Sequence, residues 1–214
     1  MEGVTLPIME ASTPKGVLFL VSGPNGAGKD AVIDGARRRL AGDGRFVFPL
    51  RTITRPEGFG GEIHVAVTPA QFDRLRRRGA FALCWGRRGL NYAIPATIDG
   101  ELAAGRHVVV NVAPAAFPEA RARYAEVVAV WLSAAVEKRR QWLEARGRES
   151  LAEIEERLVD WDEPPGDEEI EVLTNGGTLD EAVNGFVALL EDRVGGGKSR
   201  PLTAGRALEA PGSL

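Results

Sequence analysis

The residues best able to do chemistry lie together at Gly23-Pro24-Asn25-Gly26-Ala27-Gly28-Lys29-Asp30. The glycines permit positive φ and close backbone approach, so successive amide N–H groups can turn onto the oxygens of a polyphosphate. Lys29 adds a full positive charge. The apolar run Val17 to Val21 before this loop reads as a buried parallel strand, and a helix from about Ala27 to Leu40 follows it. The helix would offer its unpaired N-terminal amides and positive dipole end to the same anion, and the three parts together predict a nucleotide site. One position departs from the usual pattern, which ends in a Ser or Thr whose hydroxyl binds Mg2+. Here Asp30 stands in that place, either as a Mg2+ ligand beside the phosphates or as a charge that favours the helix N-terminus.

A second cluster follows at Arg51-Thr-Ile-Thr54-Arg55-Pro56 and, after a glycine-rich turn, Gly61-Glu62-Ile-His64. Arginines interleaved with hydroxyls suit a phosphorylated small molecule whose anionic groups need bidentate partners. A solvated surface loop is the alternative, and the phosphate loop upstream favours the substrate site. Tyr92 either packs in the core or presents its hydroxyl to a ligand. Asn111 falls near the end of an apolar strand, where ligands bind in open parallel sheets, whereas His107 at its start reads as structural. Further along, Arg146, Arg148 and Arg157 flank a helix start at Ser150, with Glu153 in capping-box register. Arginines on a short helical excursion can close over a transferring phosphoryl group; ion pairs with Glu153, Glu155 or Glu156 are the other reading. The basic cluster Arg76 to Arg78 reads as a solvated helix end.

The elements that must position these groups alternate along the chain. Strands are expected at Phe46–Phe48, Ala80–Trp85, His107–Val112, Val127–Leu132 and Glu169–Leu173, with a short one at Tyr92. Helices are expected at Thr68 onward, Pro95–Ala104, Phe117–Tyr124, Ala134–Arg146, Leu151–Trp161 and Leu179–Leu190. This order predicts an α/β fold, a parallel sheet with helices on both faces. Residues 1–15 read as a flexible arm and residues 193–214, rich in Gly, Pro, Ser and Ala, as a disordered tail. The 214 residues are 44% hydrophobic and 27% charged with a net charge of −3, which fits one globular domain and excludes fibrous and disordered classes. That charge gives no general nucleic-acid or membrane surface, and no run approaches the ~20 apolar residues of a membrane span. Cys84 is the single cysteine, read as a buried inert thiol; a disulfide framework and a cysteine zinc site are excluded, and a cytoplasmic location is expected.

Over roughly residues 16–192 the chain resembles the guanylate-kinase-like branch of P-loop kinases. The resemblance rests on S-G-P-N-G-A-G-K at 22–29, T-x-R-P at 54–56, G-E at 61–62, N-Y at 91–92, E-A-R-G-R-E-S at 144–150, E-R-L at 156–158 and N-G-G-T-L at 175–179. Within that branch G-K-D, R-x-I-T-R-P, G-E-I-H and P-E-A-R-A-R-Y at 118–124 are similar to the ribose 1,5-bisphosphate phosphokinase family, which makes phosphoribosyl diphosphate in phosphonate degradation. Guanylate kinases carry a second arginine where Glu57 to Gly60 have none, and a tyrosine in the region of His64. The resemblance implies ATP and Mg2+ at Gly23 to Asp30, with Asp30 the metal ligand and adenine near Asn175. It implies an acceptor site of Arg51, Thr54, Arg55, Glu62, His64 and Tyr92 in an insertion at about 50–94. It also implies a lid at about 144–162 carrying Arg146, Arg148 and Arg157, and catalysis by Lys29, Arg146 and Arg157. The substrate would be a small phosphorylated sugar, with no nucleic acid and no membrane. A guanylate kinase acting on GMP and a catalytically silent binding module remain as alternatives, and the oligomeric state is open.

Overall fold

The computed structural model describes residues 16–58, 62–147, 150–159, 163–166 and 169–195. The expected N-terminal arm, the tail beyond 195, Arg148 and Trp161 lie outside these residues. Five parallel strands form the main sheet: β1 (Leu18–Ser22), β2 (Phe46–Val47), β7 (His107–Asn111), β8 (Val127–Ser133) and β9 (Ile170–Thr174), in the order β2-β7-β1-β8-β9. Their near-continuous apolar sequences follow from burial on both faces. On one face Phe19, Val21, Val109, Val130 and Leu132 pack against α1 (Lys29–Arg39) and α7 (Leu179–Gly195). Gly35 allows that packing to be close, since a Cβ there would come within 2.3 Å of a Val183 methyl. On the other face Leu18, Leu20, Val108 and Val110 meet Ile98 and Leu102 of α3 (Thr97–Ala103) and Phe117 of α4 (Phe117–Arg123). Each such fully buried large aliphatic or aromatic side chain contributes about 1.5–3 kcal/mol.

A second sheet, absent from the sequence reading as a separate unit, covers this second face. It consists of β3 (Thr52–Ile53), β4 (Val65–Ala66), β5 (Phe81–Arg87) and β6 (Leu90–Pro95), in the order β4-β3-β6-β5. The segment from Arg51 to His64 was expected to be a loop. Instead β3 pairs with β6 in antiparallel and with β4 in parallel fashion, so the segment begins in one strand of two residues and runs into another just after His64, both too short to carry a period-2 signal. Arg88 and Gly89, both at positive φ, close the β5–β6 hairpin. Leu83, Trp85 and Ile94 bring this sheet into the apolar cluster on the second face of the main one.

The remaining helices are α2 (Pro69–Arg77), α5 (Val136–Arg146) and α6 (Leu151–Leu158). Thr68 caps α2 as expected, and Gln71 completes a capping box. Ser150 and Glu153 form the second such box at the start of α6. The closing helix α7 runs on to Gly195, past the expected end at Leu190, because Val194 packs onto the same core cluster. No helix among the described residues is long and apolar enough to cross a membrane. The Cys84 thiol is half-buried, and burial raises its pKa.

Candidate active site

The glycine-rich loop connects the C-terminal end of β1 to α1, between the neighbouring strands β7 and β8, which is the crevice where open α/β sheets bind ligands. Gly23 has φ +141°, and a Cβ there would lie 2.1 Å from the Leu132 carbonyl oxygen, so no other residue fits. Gly28, in the left-handed region at φ 86°, turns the chain into the helix. Lys29 is the first helical residue, and its side chain curls back so that Nζ donates to the carbonyls of Gly23 and Pro24 at 2.8 Å each. Burial is the main cause that pushes its pKa down to about 8, with Asp30 opposing the shift and Arg51 and Arg87 adding to it. An ammonium held in such a place is short of counter-charge, and a phosphate would supply it.

The loop is tied down from three sides. Asn175, only 3% exposed, donates from Nδ2 to the Ala27 carbonyl at 3.0 Å. Arg139 of α5, 2% exposed, approaches the Asn25 carbonyl with Nη1 at 3.4 Å. Asn25 in turn donates from Nδ2 to the backbone carbonyl of Arg157 at 3.4 Å, linking the loop to α6. The sequence reading gave Arg139 no role. Its signal was there in the spacing, since Arg139 and Leu143 stand four apart on the one buried face of a helix otherwise rich in charge. The Asn175 side chain faces the back of the loop, so its part is to hold the backbone cup.

The second cluster faces the loop from β3 and the turn before β4. Glu62 pairs with both arginines, with Arg51 through Nη2 and with Arg55 through Nη2 at 2.7 Å. His64 is buried, its ring nitrogens 3.1 and 3.0 Å from the carbonyls of Glu62 and Arg55, so it holds the turn that presents them. Thr54 accepts the Asn91 N–H on Oγ1 at 2.8 Å and ties β3 to β6. The Tyr92 ring lies 5.7 Å from the Arg51 guanidinium and stacks nearly parallel on Trp85 at 5.6 Å, forming a cation–aromatic stack that limits where Arg51 can point.

The two clusters meet at Asp30. Its Oδ1 accepts from Asn111 Nδ2 at 2.7 Å and lies 3.8 Å from Arg51 Nη2, while Arg51 Nη1 donates to the Asn111 carbonyl at 3.2 Å. A cleft of about 40 Å³ opens here, lined by Asp30, Arg37, Arg51, Glu62 and Asn111 among others. A carboxylate beside an amide cup is a donor set that suits Mg2+, which keeps several waters and takes its other ligands from substrate phosphates. Arg146, at the end of α5, is exposed, and Arg157 is half-buried in the last turn of α6. Of the carboxylates weighed as their partners, Glu155 pairs with Arg140, Glu153 caps Ser150, and Glu156 lies 3.9 Å from Arg88.

A lysine-bearing phosphate loop at the head of a central parallel strand, facing arginines on a second small sheet, defines a P-loop kinase of the guanylate-kinase-like fold. In keeping with this, the guanylate kinase of Anaplasma phagocytophilum superposes with a TM-score of 0.59 over 87% of this chain and 89% of that one, at 16% identity, which bears on the fold alone. No protein-family profile matches the chain. Curated relatives do: ribose 1,5-bisphosphate phosphokinase PhnN of Brucella melitensis is 40% identical over 187 residues, covering 86% of this chain and 96% of that protein. The enzyme of the same name from Pseudomonas paraeruginosa is 44% identical over 177 residues, covering 82% and 95%. The chain therefore belongs to the ribose 1,5-bisphosphate phosphokinase family.

Proposed function

We propose that this protein transfers the γ-phosphoryl group of ATP to the 1-phosphate of ribose 1,5-bisphosphate, giving 5-phosphoribosyl 1-diphosphate and ADP. The observation that carries the reading is the convergence of Arg51 and Arg55 on one carboxylate, Glu62, with Arg51 also 3.8 Å from Asp30 at the phosphate loop. Two guanidiniums held this way match a substrate that offers phosphates and no base, and kinship to relatives that bear this activity in their names supports the same acceptor.

In this reading Gly23, Pro24, Asn25, Gly26, Ala27 and Gly28 cup the triphosphate, and Lys29 neutralises it. Asp30 would hold Mg2+, which would supply positive charge to offset what develops on transfer. Arg51 and Arg55 take the acceptor phosphate, displacing Glu62, while His64 and Thr54 hold the strands that carry them and the Tyr92 ring lies beside Arg51. Arg146 and Arg157 are the lid groups that reach the transferring phosphoryl. Adenine lies near the turn at Asn175, whose side chain keeps the loop in shape. The acceptor oxygen belongs to a phosphate that is already ionised, so the protein needs no general base; positioning and charge neutralisation suffice. A cytoplasmic location and one kinase domain over 16–192 belong to the same proposal.

The test is turnover of purified protein with ATP, Mg2+ and ribose 1,5-bisphosphate, read by product mass, with GMP in parallel. Phosphoribosyl diphosphate is the expected product. Brisk phosphorylation of GMP without it would refute the assignment.

A further inference from the structure

Positions 30 and 111 differ from the usual arrangement in a related way. Phosphate-loop nucleotide enzymes commonly place a hydroxyl after the loop lysine and a carboxylate on a neighbouring strand end, and these two serve the Mg2+ ion. Here the carboxylate follows the lysine, as Asp30, and an amide stands at the end of β7, as Asn111. Asn111 pairs in register with Val21 near the end of β1, so the strand that leads into the loop also fixes where this amide stands. From there Nδ2 donates to Asp30 Oδ1 at 2.7 Å.

We propose that Asn111 is a positioning residue that orients the Asp30 carboxylate toward the divalent cation and keeps it from collapsing onto Arg51. Two features of the site give it this task. The Asp30 side chain is 41% exposed, so without a partner it would turn among several rotamers. The Arg51 guanidinium already stands 3.8 Å away, short of hydrogen-bond contact, and a carboxylate released from the amide would close that gap. Such a closure would turn this loose ion pair into a hydrogen-bonded one between the metal ligand and an acceptor-binding cation, and both sites would lose a group. The amide prevents this with one donated bond, which leaves Oδ2 and the second lone pair of Oδ1 for a metal ion. The Asn111 carbonyl does the complementary task by accepting from Arg51 Nη1.

This inference rests on the Mg2+–nucleotide reading of the loop, and its test separates the two. ADP binding is measured by calorimetry with and without Mn2+, and Mn2+ occupancy of the ADP complex by electron paramagnetic resonance. The proteins are wild type, Asn111→Ala and the volume-preserving Asn111→Leu, each checked for a native thermal transition. The expected result is a 10–100-fold loss of Mn2+ affinity in the variants that keep this transition, as for other partners of a metal ligand, with metal-free ADP affinity within about twofold of wild type. Unchanged Mn2+ affinity, or ADP affinity that falls equally with and without Mn2+, would overturn the role of Asn111. Failure of wild type to bind ADP at all would overturn the nucleotide reading and this one with it.

Discussion

Lys29 makes the folded protein less stable than it could be, and the size of that effect can be worked out. Its pKa is lowered from 10.5 to about 8, chiefly by burial. At 1.36 kcal/mol per unit, holding the charged ammonium in the folded state at pH 7 costs about 3 kcal/mol relative to the unfolded chain. The two bonds to the Gly23 and Pro24 carbonyls return part of this, about 1–2 kcal/mol. Replacing Lys29 with Met, which keeps the stem and removes the charge, should therefore stabilise the protein by about 1–2 kcal/mol, or roughly 2–8 °C in Tm, while abolishing phosphoryl transfer. The sign of the pH dependence follows. Between pH 8 and 10.5 the unfolded lysine still holds its proton and the folded one has lost it, so the unfolded state binds more protons. Wild-type stability should thus gain from this residue as pH rises through that window, and the gain should vanish in Lys29→Met. Urea titrations of both proteins at pH 7, 8, 9 and 10 measure it. A variant that is less stable than wild type at pH 7, or a stability difference that does not shrink toward pH 10, would refute the argument that the loop strains to hold an uncompensated cation.

Nucleotide binding should relieve the same strain, so ADP binding near pH 8 is expected to take up protons, seen as a dependence of the calorimetric heat on buffer ionisation enthalpy that Lys29→Met lacks. Arg51→Gln should raise the KM for the phosphorylated acceptor by about 10–100-fold, the worth of a charge-assisted hydrogen bond, with little change in the KM for ATP; steady-state kinetics with each substrate varied decides it. Asn175→Leu leaves the buried Ala27 carbonyl without its partner, so a loss of about 1–3 kcal/mol in denaturant unfolding is expected together with weaker ATP binding. Gly23→Ala must displace the Leu132 backbone, and the soluble yield or Tm of that variant should fall sharply.

What could be read in the sequence, and what could not, divides along the range of the interactions. The apolar runs at Leu18–Ser22, His107–Asn111 and Val127–Ser133 announce themselves because a strand buried on both faces has to be apolar throughout, and the loop at Gly23–Lys29 because its backbone path demands glycine. Those are local requirements. The small sheet was not legible as a sheet, since β3 and β4 have two residues each and exist only through pairing with chain 13 to 41 positions away: Thr52 with Val65 and with Ala93. Within the site the same division holds. Arg51 and Arg55 stand out by spacing, but their common partner Glu62 and the hold of His64 on both sides of the turn arise only when the chain doubles back. Arg139 is the sharpest case. It is buried because the loop lies over it, a contact made only once the chain has folded, and a Cβ at Gly26 would come within 3.2 Å of the Arg139 Cβ. Lys29 and Arg139 thus place positive charge on both sides of one backbone turn, an arrangement that suits a polyphosphate.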